Sequence, residues 1–397
     1  MKRLRKRLIT ICLALFPIVI ISGCWSAFEI NDRAFATIML VDLTDKGETE
    51  LTLGFLLPNR MTPGTTGGSG APKGEPFTYV TKAAENISQA FSEISVDISR
   101  PVSFGHTQII VIGEKFAKQG VLPLIQFVER QTAFHLSSNI FVTQGNVLKI
   151  TKTPLVFEPF TSIILAKYIR HHYTLDSTVK DVIIASYKGG DILLPLLNFT
   201  QKPEIEVENP KKNQWVGTDG AAIISSGKMS NIKLNHDELR GSLWMSAQIR
   251  STVITVKSPS DGKEISCVAQ NVSTNFNPVV KDGEVSFEIK SKAKAFVLDN
   301  KSDIDLSKSD TLVQIKKRLN EAVKSNMEQV LNKTREAKSD AFLMSNYLDW
   351  HYPKTWHKIK ARWKDYYSSS LPIDVTVDID LDRTGGNYRS VEVEKTD

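Results

Sequence analysis

Apolar and polar residues alternate along the C-terminal half of this chain with two different periods. Val285, Phe287, Ile289, Ala293, Ala295 and Val297 alternate with Glu284, Ser286, Glu288, Lys290, Lys292 and Lys294. A period of two marks a strand with one face buried and the other in water. Ile373, Val375, Val377, Ile379 and Leu381 alternate in the same way with Asp374, Thr376, Asp378, Asp380 and Asp382. Between these strands, Leu312, Ile315, Leu319, Ala322, Val323, Met327, Val330 and Leu331 recur at spacings of three and four. That spacing predicts one long amphipathic helix, opened by Thr311 and Gln314 as a capping box. A helix of this kind on an antiparallel sheet is α+β architecture.

The N-terminal half follows another pattern. Ala34 to Leu43 and Glu50 to Leu57 are strand candidates flanking Thr44-Asp45-Lys46-Gly47, which predicts a hairpin. Thr62 to Pro76 is rich in glycine, has no apolar period and reads as a mobile loop. Ala84, Ile87, Phe91 and Ile94 predict a helix with Thr81 placed to cap it. Thr107 to Ile112 is a continuous apolar run closed by Gly113, as expected of a strand buried on both faces. Short helices over Glu114 to Lys118 and Leu122 to Gln131, then a strand over Asn139 to Thr143, complete a parallel crossover, right-handed by the usual rule. Further helices are predicted from Glu158 to Tyr173 and from Thr178 to Tyr187. The polar stretch Gln201 to Asn213, with Pro203 and Pro210, buries little and is the best domain boundary.

The expected organisation is a multi-domain α+β protein. Residues 24–200 form a mixed sheet covered by helices, with 158–200 either part of it or a separate helical subdomain. Residues 201–213 link this to residues 214–397, an antiparallel sheet packed on one long helix.

The first residues stand outside this pattern. Lys2, Arg3, Arg5, Lys6 and Arg7 precede an apolar stretch from Leu8 to Ile21, followed by Ser22-Gly23-Cys24. This order is that of a secretory signal peptide, residues 1–23, and its close resembles the lipobox of bacterial lipoproteins. About 14 residues fall short of the roughly 20 that a transmembrane helix needs, and Pro17 shortens the usable helix further. An uncleaved N-terminal anchor is the alternative. The resemblance implies cleavage after Gly23 and acylation of Cys24 with palmitate-like chains. Two chains, at about 0.8 kcal/mol per buried methylene, hold a protein stably on a membrane.

The leader also changes the meaning of the composition. The formal charge is +6, but removing the leader's five basic residues leaves 45 basic against 44 acidic residues, a net of +1. That cancels the argument for a nucleic-acid partner. Cys12 leaves with the leader and Cys24 is acylated, so Cys267 remains alone and neither a disulfide framework nor a cysteine metal site is expected.

Ser103-Phe104-Gly105-His106, the strand Thr107 to Ile112, Gly113-Glu114, Ala117-Lys118 and Gly120 together resemble the Ger(x)C family, the lipoprotein C subunits of spore germinant receptors. Gly23-Cys24-Trp25 with Glu29-Ile30-Asn31 is similar to that family's mature N-terminus, although Ser26 stands where the family usually has Asp. Gly220-Ala221-Ala222 through Glu238-Leu239-Arg240-Gly241 resembles the opening of its C-terminal domain. Lys338 to Trp363 and Asp374 to Gly385 resemble its close. The resemblance implies a non-catalytic, lipid-anchored subunit on the outer face of the spore inner membrane. Its implied partners are the integral A- and B-type receptor subunits, and its implied role is nutrient-triggered germination. The alternative reading is a solute-binding lipoprotein that captures a small nutrient; a surface hydrolase is the least favoured.

The candidate chemistry is sparse, and neither catalytic residues nor a cofactor are expected. Asp378, Asp380 and Asp382 have the spacing of the first ligands of a calcium loop, but Arg383 stands where glycine is needed and Arg389 where glutamate is needed. A solvated strand face, paired with Lys290, Lys292 and Lys294, is the simpler reading. His171 and His172 are adjacent and do not point together on a helix. His106 has no neighbouring cysteine and reads as structural. The glycine-rich loop lacks the Gly-Lys-Ser/Thr of a phosphate cradle. Trp350, Trp356 and Trp363 lie among Lys354, Lys358, Lys360, Arg362 and Lys364. They could touch lipid headgroups or a partner, or a helical stripe of Trp356, Trp363 and Tyr367 could enter the core.

Overall fold

The computed structural model describes Arg5 and residues 32–57, 75–155, 157–201 and 214–382. The rest of the leader, Cys24, most of the glycine-rich stretch, the segment 202–213 and Arg383-Thr384-Gly385 lie outside the described residues.

Strands β1 (Ala34–Leu43) and β2 (Thr49–Leu56) form the predicted hairpin, and β3 (Phe77–Ala84) extends it. This third strand corrects the expected Thr81 cap. Thr81 sits inside β3 with its hydroxyl 2.8 Å from that of Thr52 on the neighbouring strand. Helix α1 (Ile87–Asp97) starts later, at Asn86, whose side chain accepts from Gln89 N. The run Phe77-Thr78-Tyr79-Val80-Thr81 is aromatic and β-branched, so it suits a pleated surface better than a helix.

Next come β4 (Val102–Ser103), β5 (Ile109–Gly113), α2 (Glu114–Gln119), α3 (Leu122–Glu129) and β6 (Asn139–Thr143). β5 lies parallel to both β1 and β6. Ile110 and Ile112 enter one core with α1, α2, α3 and α5 (Val179–Tyr187). Ile109 and Val111 enter another, covered by the short helix Val147–Lys152 and by α4 (Thr161–Arg170). The continuous apolar run is thus a strand covered on both faces.

β7 (Ile192–Gln201) joins β6 in parallel, and β8 (Gln214–Ser225) and β9 (Lys228–Leu234) follow antiparallel. The sheet order is β3-β2-β1-β5-β6-β7-β8-β9, with β4 paired to β1. Its centre is parallel and its flanks are antiparallel. Because β7 pairs with β8 up to Gln201 and Gln214, this sheet continues on both sides of segment 202–213.

The second sheet has the order β10 (Ser251–Lys257), β11 (Glu264–Lys281), β12 (Glu284–Asn300) and β13 (Ile373–Asp382). Its first three strands are antiparallel, and β13 joins β12 in parallel. A parallel neighbour needs a crossover, supplied here by α7 (Ser309–Glu336), α8 (Met344–His351), α9 (Pro353–Ile359) and α10 (Trp363–Ser369). Ile315, Leu319, Val323, Met327, Val330 and Leu331 of α7 pack with Phe287, Ile289, Val375 and Ile379 in one core. The capping box expected at Thr311 is not formed. α7 begins three residues earlier, with Lys308 at the N-cap position and no side-chain cap, and Thr311 is buried. The same core takes in α6 (His236–Met245) and Leu193, Ala221, Ile223 and Leu234 of the first sheet, so the interior is continuous between the two sheets. Among the described residues, no helix is long and apolar enough to cross a membrane.

Candidate functional site

The segment from Ser103 to Gly120 proves to be a clamp. Phe104 is buried, with its ring 5.2 Å from that of Phe134, 5.3 Å from Phe91 and 6.0 Å from Phe127. His106 sits edge-on to Phe35, with ring centroids 4.5 Å apart, and Thr107 donates its hydroxyl to Ala36 O at 2.8 Å. At Gly113 the close neighbour is Asp42: a Cβ built there would lie 1.9 Å from its carboxyl carbon. Asp42 accepts from Leu43 N and Val147 N, and burial raises its pKa against those bonds. Burial also opposes ionisation of Glu114, but hydrogen bonds from Lys118, Lys233 and Gly145 N prevail and hold its pKa at about 2. Glu114 thereby ties α2 to β9. Every conspicuous side chain in this stretch has a structural partner.

The aspartates of β13 behave as a strand face. Val375, Val377 and Ile379 are buried, while Asp374, Asp378 and Asp380 are exposed. Lys292 lies opposite Asp378 and Lys294 opposite Asp380, and Lys316 pairs with Asp378 at 2.7 Å.

The three tryptophans separate. Trp363 is 5% exposed and Trp356 is half-buried against it, with ring centroids 5.5 Å apart. Tyr367 continues the stripe into the core. Trp350 is 68% exposed and is the one of the three left at the surface for a contact. Trp363 also opens onto a polar joint that sequence reasoning missed. Its indole N–H is donated to Asp340 Oδ2 at 2.9 Å, and the same carboxylate accepts from Met344 N and Ser345 N. Asp340 is 3% exposed, and burial pushes its pKa up to about 6 despite these three donors. Its own backbone N–H is donated to Asp191 Oδ2 at 3.0 Å. Asp191 Oδ1 accepts from Ser226 N and from Lys364 Nζ, each at 2.8 Å. The joint therefore ties the start of β7, the β8–β9 turn, the chain after α7 and helix α10 together. Lone acids carry no periodic signal, so nothing in the sequence singled these residues out.

Trp350 also borders a cleft of about 420 Å³ between the two halves of the molecule. Residues 175–193 supply one wall; residues 245–276 and 341–350 supply the others. The rings of Phe276 and Tyr347 stack at 5.2 Å, and that of Trp350 meets Tyr347 edge to face at 5.5 Å.

A family model described as Spore germination protein N-terminal domain matches residues 26–199, and one described as Spore germination B3/GerAC like, C-terminal, matches residues 219–385. The chain belongs to the Ger(x)C family of spore germination proteins. Spore germination protein KC of Bacillus subtilis (strain 168) is 25% identical over 403 residues, covering 96% of each chain. Spore germination protein B3 of the same organism is 25% identical over 368 residues, 89% of this chain and 92% of that one. Among solved structures, the crystal structure of the GerBC protein matches with a TM-score of 0.55 at 21% identity, over 87% of this chain and 97% of that one, a likeness of fold. The stretch that carries the Ger(x)C resemblance is thus the clamp around Gly113 and Glu114, and the second matched segment contains the joint residues Asp340, Trp363 and Lys364.

Proposed function

We propose that this chain is the lipid-anchored, non-catalytic C subunit of a nutrient germinant receptor. It sits on the outer face of the spore inner membrane and acts through contacts with the integral A- and B-type subunits. The observation that carries this reading is the order of segments: Ser22-Gly23-Cys24 is followed at residue 26 by the first family match and at residue 219 by the second. A thioether-linked pair of acyl chains on Cys24 would leave a membrane-held globule without a transmembrane helix. The non-catalytic part draws support from how the molecule uses its buried and half-buried acids. Asp42, Glu114, Asp191 and Asp340 are all engaged in holding elements together.

Replacement of Cys24 tests the reading. The C24A protein is expected to leave the spore membrane fraction, and nutrient-triggered germination should slow severalfold while a trigger that bypasses the receptor still works. Crosslinking in intact spore membranes should join the unaltered protein to integral receptor subunits and lose those products in C24A. Unchanged membrane retention together with an unchanged nutrient response would overturn the anchoring claim.

A further inference from the structure

The cleft beside Trp350 has properties that anchoring and subunit contact do not require. Its volume, about 420 Å³, falls within the roughly 300–1,000 Å³ of small-molecule sites, and it lies between two packed units where such sites concentrate. Phe276, Tyr347 and Trp350 give it aromatic walls, and Asp176 and Asp181 line it, while among the described residues no Lys, Arg or His does. Asp176 Oδ1 accepts from Asn139 and Asp181 Oδ2 caps the start of α5, so among the described residues the second oxygen of each carboxylate carries no hydrogen bond. Asn346, which also lines the cleft, is 6% exposed, and its side-chain oxygen has no partner among the described residues. That oxygen is closed even to water, so the charge of the cleft comes from the two carboxylates.

These features agree on one ligand chemistry. Ring faces and carboxylates both favour positive charge, and the apolar walls call for an apolar body. We propose that the cleft binds a small organic ammonium compound, a protonated primary amine on an aromatic or branched apolar body. The ammonium group faces Asp176 and Asp181, and the body lies against Phe276, Tyr347 and Trp350. A free carboxylate on the ligand would meet two like charges and, among the described residues, no cation, so the site discriminates against carboxylic acids. This inference goes beyond the anchoring role and gives the solute-capture alternative a definite place and ligand class.

Calorimetric titration of the full mature chain in detergent micelles tests it, with phenethylammonium, phenylacetate and 2-phenylethanol as probes and empty micelles as the blank. Phenethylammonium is expected to saturate with Kd below about 1 mM, and the other two probes to bind at least about tenfold more weakly. W350A, at an exposed position, and D176N should each weaken phenethylammonium binding at least about fivefold while leaving thermal unfolding unchanged. Absence of saturation up to about 10 mM, equal affinity for the three probes, or W350A and D176N binding like the wild type would overturn the proposal. None of these outcomes depends on Cys24, so failure here is distinct from failure of the anchoring claim.

Discussion

At Asp340 a single carboxylate shows how burial and hydrogen bonding compete. Burial pushes its pKa up to about 6, although Met344 N, Ser345 N and the Trp363 indole all donate to it. The folded-state pKa therefore lies above the ordinary 3.8 of an unfolded Asp. Between those values the folded state holds more protons, so this group's contribution to stability is fully present below about pH 4 and is lost as pH rises through about 6. Relative to D340N, which does not titrate, the wild type should gain up to about 3 kcal/mol as pH falls from 7 to 4, measured by chemical denaturation at a series of pH values. A difference independent of pH would show that Asp340 titrates alike in both states. Cys267 is the opposite kind of buried group. Its thiol is pushed up to about 12 by burial, with no positive neighbour among the described residues to activate it, so it behaves as a small core residue.

Elements with a clean period were legible in the sequence, and those with a broken one were not. β12, β13, α7 and the β5 to β6 crossover follow from alternation, from three-four spacing and from an unbroken apolar run. β11 escaped because its phase changes midway. Ile265, Cys267 and Ala269 are buried, then Asn271 takes φ 55 and the register against β12 slips between Gln270 and Ser273, after which Phe276 is buried. A bulge inserts one residue and turns every later side chain to the other face, so no single period of two spans the strand. Contact between elements is likewise invisible locally. Gly241 on α6 has no turn to make, yet a Cβ there would lie 2.4 Å from Asn326 O on α7, which fixes how closely the two helices cross. G241A is expected to destabilise the fold by about 1–3 kcal/mol, read as a lower denaturation midpoint, because the helices must move apart. An unchanged midpoint would mean that the crossing is loose.

For the whole molecule, the joint around Asp191 couples the two sheets. Asp340 N reaches Asp191 across 149 residues of chain and Lys364 Nζ across 173. D191A would leave the backbone N–H groups of Ser226 and Asp340 without their acceptor and should cost about 2–4 kcal/mol, whereas D191N, which keeps an acceptor, should cost less. Because the apolar core is also shared between the sheets, unfolding of the wild type should be one transition, and D191A should broaden or split it in calorimetry. One sharp transition at the wild-type midpoint would remove the joint from the account. The sequence by itself determined the family, the α+β class and the regular elements, because each is written in residues close together along the chain. It also marked Trp350, Trp356 and Trp363, but could not say which would be buried. Only the tertiary structure decided that the first sheet continues past residues 202–213, that the clamp and the joint take up Asp42, Asp191 and Asp340, and that Asn346, Asp176 and three aromatic rings surround one cleft. Those outcomes depend on which distant surfaces exclude water from one another, a free energy that no local period encodes.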